Sequence, residues 1–203
     1  MAFRILKFYR EALQVYPIRT AAVSAGTLMT LGDAIAQTVV EKKSLSQFEV
    51  KRSLRFVVFG TFMAGPLFSI WYSRLAKTFG HTKYAALKMV ACDQLLFAPP
   101  FIAYFLGTME LFKGEGLQDV KLKLQDDYLT VMKTNYKLWP MVQALNFTFV
   151  PIHYRVVVVN MVAVGWNTYL AWMSAKVAPH KDSPVEDSDD NNNSNPEEVK
   201  SSS

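Results

Sequence analysis

Hydrophobic positions along this chain collect into four long apolar segments, and short charged stretches separate them. A transmembrane helix needs about 20 mostly apolar residues to cross a hydrocarbon core about 30 Å thick. The four segments are close to that length and cover residues 20–40, 56–73, 84–109 and 156–175. The pattern predicts an all-α integral membrane protein with a bundle of about four transmembrane helices.

Three further stretches have a different pattern. Residues 1–16 carry polar positions at helical spacing, which predicts a basic amphipathic helix that stays on the membrane surface. The charged residues 110–137 predict a second helix at the interface. Residues 138–154 are apolar but interrupted by Pro140 and Pro151, so we expect a partial or protein-covered helix just before the last span.

Composition supports a membrane protein, because 51% of the 203 residues are hydrophobic and only 19% are charged. The segment 177–203 holds seven acidic and two basic residues and almost no apolar ones, so we expect a disordered acidic tail after a helical membrane domain at 1–176. The remaining basic residues flank apolar segments. We therefore expect contact with lipid headgroups and no direct binding of nucleic acid.

Ionisable and amide side chains inside the predicted spans are the candidates for function. A charged residue at membrane depth costs about 2.5–3.5 kcal/mol on insertion scales, so it normally faces a bundle interior or a water-filled path. Asp33 and Gln37 are four residues apart and share a helix face. Two hypotheses stay open. Either these groups line a polar pathway, or Asp33 or Asp93 fixes packing, by pairing with Lys88 or Arg155 or by accepting hydrogen bonds from neighbouring helices. The candidates are Asp33, Gln37, Lys88, Asp93, Gln94, Gln143, Asn146 and Arg155.

Small residues and prolines predict where helices approach or break. The spacings Ala22 to Gly26 and Gly60 to Ala64 permit close helix contact. Proline removes a backbone donor and clashes with the preceding turn, so it bends or interrupts a helix. The predicted breaks are Gly65, Pro66, Pro99, Pro100, Pro140 and Pro151.

Signals for catalysis and cofactors are missing from the sequence. The histidines are far apart, and no metalloprotease, phosphate-loop or dinucleotide motif occurs. One cysteine, Cys92, excludes an intrachain disulfide. We expect neither an enzyme nor a bound cofactor or metal.

The stretch 135–155, NYKLWPMVQALNFTFVPIHYR, resembles a block of the Mpv-seventeen / peroxisomal membrane protein family. The family pattern there is Trp-Pro-x-x-Gln-x-x-Asn-Phe-x-x-Val-Pro-x-x-x-Arg. Further family landmarks follow in order over residues 3–176 and are closest to the Mpv-seventeen branch. They are Gly32-Asp33 with Gln37, Gly65-Pro66, Asp93-Gln94 and Trp166-Asn167.

The resemblance implies a four-span protein of the mitochondrial inner membrane that forms a weakly selective channel for ions or small solutes. It also implies effects on membrane potential, on mitochondrial deoxynucleotide supply and on maintenance of mitochondrial DNA. Two alternatives stay open, a membrane scaffold for a partner complex and a peroxisomal membrane channel. A homo-oligomer is also left open.

Overall fold

The computed structural model describes residues 2–80, 82–149 and 155–176, and all the regular secondary structure in these ranges is helical. The acidic tail and Pro151 lie outside the described residues. Six long helices follow one another along the chain. They are α1 (Ala2–Val15), α2 (Pro17–Ile35), α3 (Val50–Phe79), α4 (Ala85–Lys113), α5 (Leu117–Phe149) and α6 (Arg155–Ala175).

The positions of the helices agree with the predicted apolar segments. Helix α2, with the π-helical turn Ala36–Val40 that continues it, covers the segment 20–40, and α6 covers 156–175. Within the described ranges, α3 and α4 are the two helices that are long and apolar enough to cross a membrane by length and composition. Helix α1 occupies the predicted N-terminal helix, and its place on a membrane surface stays a prediction.

Five of the six predicted helix breaks lie within continuous helices, and the sixth, Pro151, is outside the described residues. Helix α3 continues through Gly65 and Pro66, α4 through Pro99 and Pro100, and α5 through Pro140. In α3 and α4 the turn before the proline is π-helical, at Phe59–Ala64 and Asp93–Phe97. A π turn has one extra residue, which moves carbonyls away from the proline ring and re-registers the hydrogen bonds. The helix is wider over this turn and continues past the proline.

Residues 110–137 and 138–154 do not form the two separate elements that the sequence predicted. Residues 110–113 complete α4, Gly114 ends it in the left-handed conformation, and α5 then runs unbroken for 33 residues. At a rise of 1.5 Å per residue this helix is about 50 Å long. The predicted helix boundary at residue 137 is wrong, because α5 continues to Phe149. One side of α5, including the buried Lys123, packs inside the protein, and its place at a membrane interface stays a prediction.

Five of the helices form a closed ring. Each contacts the next in chain order, α2 with α3, α3 with α4, α4 with α5 and α5 with α6, and α6 returns to contact α2. Helix α1 packs against α2, where the Ser24 hydroxyl lies 3.2 Å from the Tyr9 hydroxyl. Helix α4 also contacts α6 directly, and a hydrophobic core with residues from all five helices packs between them.

Close contact between α2 and α3 depends on the small residues that the sequence singled out. A Cβ atom added to Gly60 would lie 2.7 Å from the Cα of Gly26, which is closer than real Cβ atoms approach. The two backbones therefore touch, and the prediction of tight helix contact is confirmed. Gly32 likewise allows close contact between α2 and α6, because an added Cβ would lie 2.6 Å from the Cβ of Asn167.

Candidate functional site

Two cavities lie between the helices. The first is lined by α3, α4, α5, α6 and the segment that follows α2, and the second by all five helices of the ring. The first has a volume of about 440 Å³ and is called the charged cavity, after lining residues that include Glu41, Arg52, Arg55, Glu110, Lys113 and Lys123. The second has a volume of about 400 Å³ and is called the aromatic cavity, after Phe68, Tyr72, Phe97, Phe101, Trp139 and Trp166.

The two cavities are arranged in series along the bundle. Helix α3 contributes its first residues, Arg52 and Phe56, to the charged cavity and its later residues, Phe68 and Tyr72, to the aromatic cavity. Helices that follow one another along the chain from α2 to α6 run in opposite directions, so α4 contributes its last residues, such as Lys113, to the charged cavity. The two cavities therefore lie at successive levels of the bundle, with the charged cavity at one end and the aromatic cavity beyond it.

An ion-pair network centred on Asp33 lies beside the charged cavity. The Asp33 side chain has no exposed surface, and its Oδ1 lies 2.6 Å from the Nε of Arg52. Its Oδ2 accepts hydrogen bonds from Gln37 at 2.9 Å and from the Ser53 hydroxyl at 2.6 Å. Arg52 also donates to Glu41 at 2.8 Å. A buried pair with this many partners joins α2 firmly to α3.

Glu41 and Lys43, which follow α2, extend this network to the cavity mouth. Burial alone would raise the pKa of Glu41, but hydrogen bonds from Arg52 and Lys43 outweigh it and hold that pKa below its usual value. Hydrogen bonds to Glu41 and Glu49 raise the pKa of Lys43 in turn. Both groups stay charged at neutral pH.

Two lysines close the opposite wall of the charged cavity by binding the end of α6. The last carbonyls of a helix have no partner within it. Lys123 donates to the carbonyls of Met173 at 2.8 Å and Lys176 at 2.7 Å, and it pairs with Asp127 at 2.8 Å. Lys113 donates to the Ser174 carbonyl. These lysines hold α4, α5 and α6 together at this end.

The aromatic cavity contains one carboxylate held by neutral donors. Asp93 accepts hydrogen bonds from the Trp71 indole at 3.1 Å and from the Gln94 amide at 3.0 Å. Gln94 accepts one from the Asn135 amide at 2.7 Å, and its carbonyl accepts one from the Tyr136 hydroxyl at 3.1 Å. This chain of hydrogen bonds connects α3, α4 and α5.

An apolar layer separates the two cavities. Phe59, Phe105 and Leu106 have no exposed surface, and the Phe59 and Phe105 rings meet edge to face with centroids 5.4 Å apart. Phe56 packs against Phe105 from the side of the charged cavity. In this conformation the layer blocks the route from one chamber to the other.

The structure divides the predicted site residues into two groups. Asp33 and Gln37 lie together in the network at the charged cavity, whereas Asp93, Gln94 and Gln143 line the aromatic cavity. Lys88 is exposed and belongs to neither group. Asn146 lies in α5 and Arg155 begins α6, but their side chains are outside the described part of the structure.

Several residues at the two sites were missed by sequence reasoning. Arg52, the partner of Asp33, was taken for a flanking charge, and Lys123 for part of an interfacial helix. Asn160 and Asn167, which line the aromatic cavity, lie in a charge-free segment. Their amide side chains could have identified them as candidates from the sequence, because a polar group at membrane depth needs a hydrogen-bond partner.

Comparison with known proteins gives a consistent result over most of the chain. The profile of the Mpv17 / PMP22 family matches residues 110–171. The mitochondrial inner membrane protein Mpv17 of Homo sapiens is 42% identical over 170 residues, which cover 83% of this chain and 97% of the human protein. Mpv17 of Danio rerio is 39% identical over an alignment that covers 83% of this chain and 96% of the fish protein.

A fungal protein is similarly close. Protein sym-1 of Neurospora crassa is 39% identical over 175 residues, which cover 85% of this chain and the whole of the fungal protein. No solved structure matches the chain. The similarity to full-length relatives extends well beyond the block at 135–155.

Proposed function

Because this chain belongs to the Mpv17 / PMP22 family, we propose that it acts as a weakly selective channel or small-solute transport protein. The chain is a mitochondrial inner-membrane protein, as its relatives are named. The proposed solutes are ions or small molecules that pass through the interior of the helix ring, and no chemical step is required.

One observation carries this proposal: two cavities with charged or amide side chains in their linings lie in series along the bundle. Buried charges and amides are costly at membrane depth, and they usually face a bundle interior or a water-filled path. A protein whose polar residues served packing alone would fill this space with side chains. Cavities of about 440 and 400 Å³ are each large enough to hold several water molecules.

The proposed topology has four spans, α2, α3, α4 and α6. Helices α3 and α4 have the required length and composition, and α2 and α6 pack beside them in the ring. Helix α5 then completes the wall, because its residues line both cavities from Asp119 to Gln143. This explains how a helix with many charges fits in a membrane protein: its polar face lines the interior.

The wider roles that the family resemblance implies belong to the same proposal. A pore of this kind would affect the inner-membrane potential, and we extend the proposal to mitochondrial deoxynucleotide supply and maintenance of mitochondrial DNA. We propose no direct contact with nucleic acid and no enzymatic activity. A homo-oligomer is one form of the proposed channel, and its subunit number is a measurable property of the purified protein.

Single-channel recording of the purified protein in planar bilayers tests the proposal. We expect discrete openings from the wild type, and an altered ion preference in an Asp93→Asn variant whose folding is matched by circular dichroism. Light scattering of the same sample gives the oligomeric state. Silence from both well-folded proteins would contradict a channel and favour a scaffold, whose partner should then co-purify in a fixed ratio.

A further inference from the structure

The aromatic cavity has a single carboxylate and no cationic lining residue in the part of the chain that the structure describes. Asp93 is half-buried there, and the five amide side chains around the cavity are uncharged. Those amides are Gln94, Asn135, Gln143, Asn160 and Asn167. Among the described residues, no lysine, arginine or histidine lies within ion-pair distance of Asp93. The cavity is therefore electrostatically suited to a cation.

The donors that surround Asp93 stabilise its charge without cancelling it. Trp71 and Gln94 each donate one hydrogen bond to a different carboxylate oxygen. Donors of this kind bring no positive charge to the carboxylate, so a cation bound beside Asp93 would be its first charged partner among the described residues. An uncompensated charge at membrane depth is costly, so a cation that enters the cavity gains the attraction that Arg52 supplies to Asp33.

Aromatic rings form two walls of the cavity and narrow the class of cation. One wall is a cluster on α3 and α4, in which Phe97 and Phe101 stack with centroids 5.4 Å apart. The other is the edge-to-face pair of Trp139 and Trp166, 6.2 Å apart on α5 and α6. Ring faces attract organic ammonium ions, and cavities that combine several aromatic walls are a known way of binding quaternary ammonium groups.

We propose that the aromatic cavity binds a small organic ammonium cation, with Asp93 as the counter-ion and the aromatic walls as the surface that contacts its alkyl groups. The amide oxygens around the cavity supply further acceptors. The inference deepens the proposed channel function, on which it rests for its physiological meaning, because it names the class of solute that the interior favours. The binding itself is an equilibrium property and can be measured without conduction.

The test is thermal unfolding of the purified full-length protein in detergent, titrated with tetramethylammonium chloride at constant ionic strength. We expect a saturable rise in Tm for the wild type. Asp93→Asn should weaken the binding at least about tenfold, because it removes the Coulomb attraction between the carboxylate and a cation that has no N–H group to donate. Glu115→Gln, which removes a carboxylate from the charged cavity, should bind as the wild type does.

Two further variants keep the test decisive if Asp93→Asn folds poorly. Asp93→Glu keeps the charge and should keep the binding. Trp139→Leu keeps the carboxylate but removes one aromatic wall, so it should weaken tetramethylammonium and leave potassium unchanged. The proposal is overturned if tetramethylammonium does not stabilise the wild type, if potassium does so equally well, or if Asp93→Asn and Trp139→Leu bind normally.

These outcomes are independent of the outcome for the channel. A protein that conducts but gives no saturable shift with tetramethylammonium would keep the channel and remove the ammonium site. A protein that binds tetramethylammonium through Asp93 but never conducts would keep the site and remove the channel.

Discussion

Asp33 and Asp93 are alike in sequence and differ in the structure. Each is an aspartate within a predicted apolar span, and each has a glutamine nearby, at Gln37 or Gln94. Asp33 has no exposed surface and an arginine 2.6 Å away, whereas Asp93 has neutral donors and lines a cavity. The first acid is satisfied by the protein itself. The second has no charged partner among the described residues and lies at the wall of a cavity.

The difference comes from what the neighbouring helix supplies. Opposite Asp33, helix α3 presents Arg52 and Ser53, which engage both carboxylate oxygens. Opposite Asp93, the same helix presents Trp71 and Tyr72, which are neutral hydrogen-bond partners of the carboxylate. A buried ion pair mainly fixes structure, because removing one partner leaves an uncompensated charge. A carboxylate held by neutral groups costs less to change and is available for binding.

The largest effect we expect is on Asp33. Replacing Asp33 by asparagine leaves Arg52 buried with Glu41 as its remaining acidic partner, and we expect a loss of about 3 kcal/mol in the free energy of unfolding. Chemical denaturation in mixed micelles, followed by tryptophan fluorescence, measures it. A variant as stable as the wild type would mean that this pair is not structural.

Lys123 should behave like Asp33, since it is 1% exposed and is bound to two carbonyls and a carboxylate. We expect Lys123→Met to lose about 2 kcal/mol of stability, because the carbonyls at the end of α6 and Asp127 lose a buried donor. Lys121→Met is the matched control, two residues away and exposed. Equal stability of the two variants would contradict the assigned role of Lys123.

We expect acid to lower the stability of the charged end of the ring. The folded pKa of Glu41 is depressed, so its contribution to stability is present above the ordinary glutamate value, about 4.3, and is lost as the pH falls through the lower folded value. Thermal unfolding over this range should show Tm falling with pH. Glu41→Gln should have a lower Tm at neutral pH and a shallower fall, and an unchanged slope would argue against this network.

The smallest effect on stability is expected for Asp93. Asp93→Asn keeps an oxygen for the Trp71 indole, so we expect its free energy of unfolding to stay within about 1 kcal/mol of the wild type. Its ion preference should change instead, with less discrimination in favour of cations in reversal-potential measurements. If Asp93→Asn unfolds as readily as Asp33→Asn, the contrast between the two acids fails.

Much of this fold could be predicted from local patterns, because apolar length and helical spacing are local properties. The segment 156–175 agrees with α6 to within one residue, and the hydrogen bond of 2.9 Å between Gln37 and Asp33 confirms that the two share a helix face. The continuation of α4 through Pro99 was not predictable from a rule about proline alone, because the preceding π turn relieves the clash.

The sites were harder to predict because they depend on contacts between distant parts of the chain. Arg52 reaches Asp33 only when α3 packs against α2, which the approach at Gly26 and Gly60 allows. The sequence places Lys123 in the predicted interfacial helix, because the stretch 110–137 contains many charged residues. Its burial becomes clear only when the end of α6 is seen to need a donor.

The most direct test of the path through the ring is chemical access to two adjacent residues of α6. Asn160 lines the aromatic cavity, whereas Met161 is 72% exposed on the outside of the isolated chain. In a Cys92→Ser background, Asn160→Cys and Met161→Cys are recorded in bilayers before and after a charged thiol reagent. We expect the reagent to reduce the current of Asn160→Cys and leave Met161→Cys unchanged. Equal sensitivity of the two variants, or block only at Met161→Cys, would contradict conduction through the ring.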